Sequence, residues 1–485
     1  MAVGAYRARC EGSALAIAQR SSLWGWLGEL ESASRRNAMT AGRFVRDTIF
    51  TFSVNVLNLF IGIGVSIILA RVLGPEGNGI YTLAVLLPSL IITFGNLGIG
   101  AATVYYVARG EFRRQEILGN NVLLSIGISA LGVLVGLVVV LFFRKAVFTG
   151  IAYGYLLLAL VLIPVEVFFA NVRYVLLGAQ RIKEFNYTQV VQSTLLLGFT
   201  AIALLGLKAG VTGAILAGLL SWLAVNALVL WLANTVAGGI DFTPSPLYIK
   251  RAAAYGIQAH LANILGFLNY RVDMFMVNGF LGAAAVGLYA VGVGLVERLW
   301  MISQAASTIL FPRVAAETEE ERRKEFTPLV ARTVLWITAI SAFVLALLSR
   351  WIVLLLYSEA FLPAVNALQA LLVGIIALSA GRVLANDIAG RGFPRLNIYT
   401  GLIAVATNIA LNLLWIPHYG IAGAGWASTV SYTISFLGIV FFYCRLSGNR
   451  WTVIILPQRG DWGIYLRLGL TLSQWMKAKG KALFG

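Results

Sequence analysis

Two short stretches of this chain have almost the same pattern and lie 208 residues apart. Residues 73–81 read LGPEGNGIY, and residues 281–289 read LGAAAVGLY. Two further matches follow in the same order. Residues 178–188 resemble 390–400 at an offset of 212, and residues 210–217 resemble 420–427 at an offset of 210. Matches in order at a nearly constant offset indicate an internal repeat, so the chain is predicted to consist of two similar halves.

The repeat lies in a strongly apolar chain. Of the 485 residues, 59% are hydrophobic and 12% are charged, and that charged share is about half of the value for soluble domains. Twelve segments are long and apolar enough to cross a bilayer, which takes roughly 20 residues. The sequence therefore predicts an all-α integral membrane protein of about twelve transmembrane helices in two six-helix lobes. The predicted segments run near residues 48–70, 79–108, 118–143, 152–178, 187–207, 211–236, 252–280, 284–311, 328–349, 364–390, 396–416 and 421–445.

Each half contains an even number of crossings, so both halves are expected to have the same orientation, related by a pseudo-two-fold axis along the membrane normal. The apolar run at 462–476 is too short to span comfortably, and we expect an interfacial helix there. The predicted organisation is a basic N-terminal arm at 1–47, an N-lobe at 48–236, an inter-lobe linker at 237–250, a C-lobe at 251–445 and a tail at 446–485.

The net charge of +17 comes from 37 Lys and Arg residues against 20 Asp and Glu residues. Of those 37 cations, 28 fall in the two ends and in the loops on the same predicted side, five fall on the other side, and four fall inside helices. Positive loops stay in the cytosol. The pattern predicts a multi-pass protein of the inner or plasma membrane with both termini cytosolic, and it predicts no nucleic-acid partner.

Composition makes most enzyme classes poor candidates. Two cysteines and two histidines are too few for a typical zinc site, and the five aspartates form no metal-binding pair. The sequence contains no phosphate-binding P-loop. We therefore expect a protein that is not an enzyme, that has no metal site and no cofactor, and that uses at most H⁺ or Na⁺ as a coupling ion.

The predicted helices contain a few charged residues. A charge inside a membrane is costly, so each one is a functional hypothesis. The equivalent positions of the first half lack charges, which favours a functional over an architectural role. The candidates are Arg271, Asp273, Glu297, Arg298 and Arg382, and the first four correspond at an offset of 208 to Ile63, Val65, Ser89 and Leu90.

The stretch ARVLGPEGNGIYTLA at residues 70–84 resembles the signature loop of bacterial polysaccharide (Wzx-like) flippases, and residues 269–290 resemble its second-half counterpart. That family belongs to the multidrug/oligosaccharidyl-lipid/polysaccharide exporter superfamily, together with MATE drug exporters and lipid II flippases. The resemblance implies a MATE-like fold around a central cavity. It also implies translocation of a polyprenyl-pyrophosphate-linked oligosaccharide to the outer leaflet by alternating access, for cell-surface polysaccharide assembly. The implied partners are this lipid, the bilayer, and polysaccharide polymerase or assembly proteins.

Within that resemblance, Arg271, Arg298 and Arg382 are predicted to bind the substrate, because a guanidinium holds a pyrophosphate bidentately. Asp273 and Glu297 are predicted to bind a coupling ion or to neutralise an arginine. The structural alternative is an interhelical pair, such as Arg271 with Glu297. Both interpretations are open from the sequence.

Asn55 and Asn58 lie three residues apart on one helix face and are also predicted to bind the substrate. The alternative for such asparagines is an interhelical hydrogen bond. Arg173, by contrast, is expected to extend its charge toward the membrane surface.

Three rival functions are open. A cation-coupled multidrug exporter of the MATE type has the same architecture and would favour acidic groups in its cavity. A membrane glycosyltransferase or polymerase would need a metal-binding carboxylate pair or a large external loop, and the sequence has neither. A silent scaffold protein would not need the unmatched charges.

Overall fold

A computed structural model of the chain describes residues 50–304, 306, 320–458 and 461. Within this part the chain is almost entirely helical and contains no strand, so the predicted all-α fold class is confirmed. The helices are α1 (Phe50–Gly95), α2 (Ile99–Arg109), α3 (Arg114–Phe143), α4 (Tyr153–Gly178), α5 (Ile182–Gly206), α6 (Gly210–Ala237), α7 (Pro246–Leu281), α8 (Ala283–Gln304), α9 (Glu320–Leu356), α10 (Ala364–Gly390), α11 (Pro394–Ser447) and α12 (Thr452–Ile455).

Nine helices of the described part are long and apolar enough to cross a membrane. Two of the nine contain two spans each, because the backbone leaves the helical conformation at Gly74 (φ 66°) in α1 and at Gly420 (φ 61°) in α11. Glycine adopts this left-handed conformation at little cost. α7 is long enough to cross, with 36 residues, but it is not among the nine. Counted with it, the described chain has the twelve spans that the sequence predicts.

Large apolar side chains cover the outside of the helices. On α9, Phe343, Leu347 and Leu355 are 65%, 63% and 73% exposed. Soluble proteins rarely expose apolar surface on this scale. The chain is a multi-pass membrane protein.

The second predicted segment, 79–108, is interrupted in the structure. Residues 96–98 separate α1 from α2, with φ of 49° at Leu97 and 69° at Gly98. A Cβ on Gly98 would lie 2.4 Å from the carbonyl oxygen of Gly256 in α7, and one on Gly256 would lie 2.2 Å from that of Leu97. The prediction of one continuous helix is therefore wrong. The break lets two backbones cross at a distance that only glycines allow, and the apolar pattern carries no sign of it.

α7 begins earlier than predicted. Pro246 occupies its first turn, and the Ser245 hydroxyl accepts a hydrogen bond from the Tyr248 N–H at 3.4 Å. Proline in the first turn with a serine cap is a typical helix start. The connection between α6 and α7 is therefore residues 238–245, and the end of the predicted 237–250 linker is helical.

α7 packs against both halves of the chain. Near its start, Tyr248 and Ala252 are buried in an apolar core with residues of α2, α3, α4 and α6. Farther along, Asn269 and Asp273 accept hydrogen bonds from serine hydroxyls of α11. One helix thus belongs to the packing of both lobes.

The repeated glycine loops contact each other. A Cβ on Gly79 would lie 1.7 Å from the carbonyl oxygen of Ala283, and one on Gly287 would lie 1.9 Å from that of Pro75. Both pairs of positions are related by the offset of 208, so the contact is reciprocal, as it would be around a two-fold axis. We call this end of the bundle the glycine-loop end, and the opposite end, which contains residues 238–245, the linker end.

Each lobe carries a strap at the linker end. In the N-lobe, residues 238–245 follow the sixth span, and Asp241 forms an ion pair with Arg113 at the start of α3 at 2.9 Å. In the C-lobe, residues 448–458 and Asp461 follow the twelfth span, and Asp461 forms an ion pair with Arg332 of α9. In both lobes, the segment after the last span is tied to the third span of its own lobe.

The chain divides into two compact units, Met1–Leu57 and Asn58–Gly485. The structure describes only the start of α1 in the first unit, and the contacts given above lie within the second. The predicted arm at 1–47 and the apolar tail run at 462–476 lie outside the described residues. The lobe boundaries at 48–236 and 251–445 also stay predictions.

Candidate functional site

α8 is distorted at its two charged residues. The regular helical pattern ends at Glu297, and the Leu299 N–H bonds to the Val296 carbonyl at 3.0 Å, one residue short of the α-helical spacing. Helix resumes at Trp300. Irregular backbone at membrane depth is tolerated where protein or a cavity covers it, and interrupted helices are typical of transporter binding sites. The distortion marks Glu297 and Arg298 as candidate site residues.

Arg271 of α7 is held by Glu297. Its Nη1 and Nη2 atoms donate to Oε1 and Oε2 at 2.6 and 3.0 Å, which is a bidentate pair. The side chains are 25% and 21% exposed, so the pair borders an open space. Arg271 and Glu297 thus form the interhelical pair that the sequence left open as the alternative to substrate binding. The substrate role of Arg271 stays a prediction.

Arg298 follows Glu297 directly but has a different environment. No carboxylate in the described part of the chain lies within ion-pair distance of it. Its guanidinium lies close to α1, because a Cβ on Gly62 would be 3.3 Å from Nη1. Gly62 also lines a cavity of about 310 Å³ between α1, α5 and α8. Arg298 therefore presents an uncompensated positive charge between the two lobes.

Asp273 is buried, with 2% of the residue exposed. Its Oδ1 atom accepts a hydrogen bond from the Met274 N–H at 2.8 Å. Its Oδ2 atom accepts from the Tyr289 hydroxyl at 2.5 Å and from the Ser428 hydroxyl at 3.2 Å. The carboxylate therefore ties α7 to α8 and α11. Arg271 and Asp273 serve different neighbours, as their spacing of two residues predicts.

The hydrogen bonds continue from Asp273 into α11. Asn408 donates from Nδ2 to the Ser428 hydroxyl at 3.2 Å, and Asn412 donates to Oδ1 of Asn408 at 2.8 Å. Oδ1 of Asn412 is buried without a partner in the described chain. We call these residues, with Asp273 and Tyr289, the carboxylate network. It leaves one acceptor atom free.

Arg382 of α10 lies in a different place. Its guanidinium lies 4.2 Å from the centre of the Trp300 ring and 5.4 Å from that of Tyr270. The residue opens on a cavity of about 580 Å³, which we call the C-lobe cavity. No acidic residue of the described chain lines it. Its other polar lining residues are Asn263, Asn269, Tyr270, Gln304, Asn386, Asn397, Thr400, Tyr432 and Ser435.

The two predicted asparagines of α1 differ in burial. Asn55, in the first unit, is exposed. Asn58 is half-buried, and its Oδ1 atom has no partner among the residues described. Their role in substrate binding stays a prediction.

The structure brings Arg271, Glu297 and Arg298 together at the distortion of α8, and Asp273 lies on α7 within the carboxylate network. Arg382 belongs to the C-lobe cavity instead. Arg173, which is expected to extend toward the surface, donates to Oε1 of Gln189 at 2.6 Å. It also stacks on the Phe185 ring at 3.7 Å.

The amide side chains of the C-lobe cavity were not predicted from the sequence. The repeat is the signal that could have identified three of them, because at the three equivalent positions the first half has no amide side chain. Asn269, Asn386 and Asn397 correspond, at offsets of 208 and 212, to Ile61, Tyr174 and Phe185.

Three comparisons place the chain among known proteins. Residues 44–316 match the model of a family described as polysaccharide biosynthesis protein. The "Putative O-antigen transporter" of Shigella flexneri is 23% identical over 398 residues, which cover 78% of this chain and 92% of that protein. The capsular polysaccharide biosynthesis protein CapF of Staphylococcus aureus is 21% identical over 188 residues, which cover 38% and 48% of the two chains.

Solved structures share the fold. The lipid II flippase MurJ in an inward closed conformation aligns with a TM-score of 0.68 and 15% identity, covering 81% of this chain and 87% of that one. A multidrug resistance MATE family transporter in an inward-facing conformation aligns with a TM-score of 0.65 and 18% identity, covering 83% and 98%. Identity this low shows the MATE-like fold alone. Because the matched family model spans more than half of the sequence, the chain belongs to the family of polysaccharide biosynthesis proteins.

Proposed function

We propose that this protein is a flippase that moves a polyprenyl-pyrophosphate-linked oligosaccharide from the cytosolic to the outer leaflet by alternating access, for the assembly of a cell-surface polysaccharide. Membership of the polysaccharide biosynthesis family supports the proposal, as does the similarity to a Shigella protein named as an O-antigen transporter. The fold shared with a lipid II flippase is compatible with it.

The observation that carries the proposal is Arg298. It has no carboxylate partner in the described chain, it lies at the distortion of α8, and it approaches Gly62 across the two lobes. An unpaired guanidinium in this setting is suited to an anionic ligand, and its geometry matches a pyrophosphate. In the proposed mechanism Arg298 binds the pyrophosphate, and the paired Arg271 adds positive potential beside it.

Alternating access requires the lobes to separate at one end at a time. At the glycine-loop end, the closed state is held by the Gly79–Gly287 contact and by the Arg71 Nε atom, which donates to the Leu356 carbonyl at 2.8 Å. The charge count of the loops supports a cytosolic linker end with cytosolic termini, in the cell membrane. The substrate would then enter at the linker end and leave at the glycine-loop end.

The carboxylate network is the proposed site of energy coupling. Asp273 joins three helices through hydrogen bonds, so binding H⁺ or Na⁺ there would change how α7, α8 and α11 pack. The membrane potential adds to the drive, by about 2.3 kcal/mol per charge per 100 mV for a negative group that moves outward.

In this proposal the protein transports its substrate and catalyses no reaction. Its proposed partners are the lipid-linked oligosaccharide, the bilayer and the polysaccharide polymerase or assembly proteins that use the flipped unit. No nucleic-acid partner is proposed.

Replacement of Arg298 tests the proposal. Arg298→Gln is expected to abolish complementation of a flippase-null strain and flipping of the lipid-linked oligosaccharide in proteoliposomes. Arg173→Gln is the matched control, because Arg173 is a half-buried arginine that already has a protein partner. Full activity of Arg298→Gln at normal protein levels would overturn the assignment.

A second candidate is a cation-coupled multidrug exporter of the MATE type. The buried Asp273 favours it, because cation-coupled export needs a carboxylate inside the membrane. Drug susceptibility of the same strains separates the two functions. An exporter would confer resistance that depends on Asp273 and would not restore polysaccharide.

A further inference from the structure

The C-lobe cavity has the features of a binding site that the proposed mechanism does not use. Its volume of about 580 Å³ falls within the range of roughly 300–1,000 Å³ that small-molecule sites have. Its asparagines come from three different helices, with Asn269 on α7, Asn386 on α10 and Asn397 on α11. Amide side chains donate and accept hydrogen bonds at once, which suits a ligand rich in hydroxyl groups.

Two of these amides are only half satisfied by the protein. Asn269 is 6% exposed, and its Oδ1 atom accepts a hydrogen bond from Ser431 at 2.8 Å, while its Nδ2 atom has no partner in the described chain. Asn397 donates from Nδ2 to the Ala385 carbonyl at 2.9 Å, and its Oδ1 atom is buried without a described partner. Buried polar atoms are usually paired. The Nδ2 donor of Asn269 is therefore left for a ligand in the cavity.

Arg382 is fixed in place but its donors are unused. The rings of Trp300 and Tyr270, which are inclined to each other by 52°, lie 4.2 and 5.4 Å from its guanidinium carbon. Cation–π contacts are made with the charge of the group as a whole and do not need its N–H donors. No hydrogen bond from these donors to a described residue occurs, and no carboxylate of the described chain lines the cavity. A cation inside a membrane protein that has no counter-charge among the described residues is suited to an anionic ligand.

We infer that the C-lobe cavity binds a sugar that carries an oxyanion, either a ring carboxylate or a phosphate ester, and that Arg382 pairs with this group. The inference rests on the proposed function, because it assigns the cavity to the glycan end of the lipid-linked unit and so makes an acidic glycan the substrate class. The N-lobe cannot offer the same site, since Ala170 and Phe185 occupy the positions equivalent to Arg382 and Asn397.

Binding of soluble probes to the full-length protein in lipid nanodiscs tests the inference. The probes are glucuronate, glucose 1-phosphate, glucose and inorganic pyrophosphate, and the readouts are equilibrium binding and the shift of the thermal unfolding midpoint. We expect one of the two anionic sugars to bind and glucose to bind far more weakly. Arg382→Gln should weaken the anionic sugar by on the order of tenfold or more, since it removes a charged hydrogen bond.

Arg173→Gln is the matched control, because Arg173 also stacks on an aromatic ring but has Gln189 as its partner. It should leave probe binding unchanged. If Arg382→Gln does not fold, Asn386→Ala carries the test, and it should weaken the same probe. The two anionic sugars distinguish a carboxylate from a phosphate ester.

Three results would overturn the inference: equal binding of glucose and the anionic sugars, pyrophosphate as the one probe sensitive to Arg382→Gln, or no binding of any sugar. The probes carry no lipid, so the measurement does not depend on flipping. Absence of sugar binding together with loss of flipping in Arg298→Gln would overturn this inference alone, whereas sugar binding together with full flipping by Arg298→Gln would overturn the proposed function alone.

Discussion

The N-lobe and the C-lobe share a frame but differ in their interiors. Both contribute a glycine, Gly79 or Gly287, to the same reciprocal contact. By contrast, Asp273 and Arg382 of the C-lobe correspond to Val65 and Ala170 of the N-lobe. The repeat therefore preserves helices and close approaches, whereas the charges at these two positions occur in the C-lobe alone. Substitutions that exchange residues between equivalent positions separate the contribution of the shared helices from that of the charges.

The largest effect is expected when Asp273 receives the residue of its N-lobe equivalent. Asp273→Val leaves the buried hydroxyls of Tyr289 and Ser428 without their acceptor. Each unsatisfied buried group costs about 1–3 kcal/mol, so the loss of both partners should cost about 2–6 kcal/mol of stability as well as transport. Thermal unfolding in detergent measures the loss.

Two controls sharpen this test. Asp273→Asn keeps the shape and should fold, but it should lose cation coupling. Val65→Asp combined with Asp273→Val moves the carboxylate to the equivalent N-lobe position. This double variant should not restore transport, because Ser428 and Asn408 of the network belong to the C-lobe. An Asp273→Val variant as stable as the unmodified chain would contradict the carboxylate network.

The shared frame should respond equally in both lobes. Gly79→Ala and Gly287→Ala each place a methyl group within 2 Å of a carbonyl oxygen. Such overpacking costs about 1–3 kcal/mol. We expect similar drops in unfolding midpoint and in complementation for the two variants. Gly279→Ala, with no atom within 4 Å of the added Cβ, is the neutral control. A large difference between Gly79→Ala and Gly287→Ala would contradict the reciprocal contact.

Hydropathy and the repeat were sufficient to predict the number of spans and their order, because lipid forces long apolar helices. They did not predict the break at residues 96–98, since it depends on how close Gly98 comes to Gly256. The start of α7 was misplaced for a different reason: the apolar pattern was followed, and the helix-start signal of Ser245 and Pro246 was not used.

The candidate site was predictable only in part. Intramembrane charges identified Arg271, Asp273, Glu297 and Arg298 from residue type alone. Which of them pair depends on distances between helices, and the Arg271–Glu297 pair was one of two interpretations. The C-lobe cavity was missed because amides in apolar helices are more often structural. The stacking of Arg382 on Trp300 joins α10 and α8, and sequence spacing carries no such information.

The Arg271–Glu297 pair gives an intermediate effect. The test is a double-mutant cycle with Arg271→Gln and Glu297→Gln. We expect the double variant to lose less stability than the sum of the losses in the two single variants. Breaking one partner leaves an uncompensated charge, and contacting pairs show coupling of about 0.5–3 kcal/mol. Arg271→Ile with Glu297→Ser, the residues of the N-lobe positions, should restore stability without restoring transport. Additive effects of the two single changes would contradict the pair.

The straps give the smallest and most pH-dependent effect. The hydrogen bond from Arg332 holds the pKa of Asp461 below its ordinary value of 3.8, and the hydrogen bonds from Thr243 do the same for Asp241. A carboxyl whose pKa is lower in the folded chain contributes stability that is present above the unfolded value. That contribution is lost as the pH falls through the folded value. Both straps should therefore loosen in acid and remain closed at neutral pH.

The two straps should differ in degree, because their ion pairs differ in burial. The Arg332 and Asp461 side chains are 10% and 3% exposed, whereas Arg113 is 73% exposed and its pair with Asp241 is screened by solvent. Asp461→Asn should therefore increase proteolysis within residues 448–458 at neutral pH. It should also remove most of the increase in proteolysis that the unmodified chain shows as the pH falls from about 6 to about 3. Asp241→Asn should change the 238–245 segment less. If Asp241→Asn changed the 238–245 segment more than Asp461→Asn changes residues 448–458, burial would not set the strength of a strap. The two straps would then share only their position after the last span of each lobe.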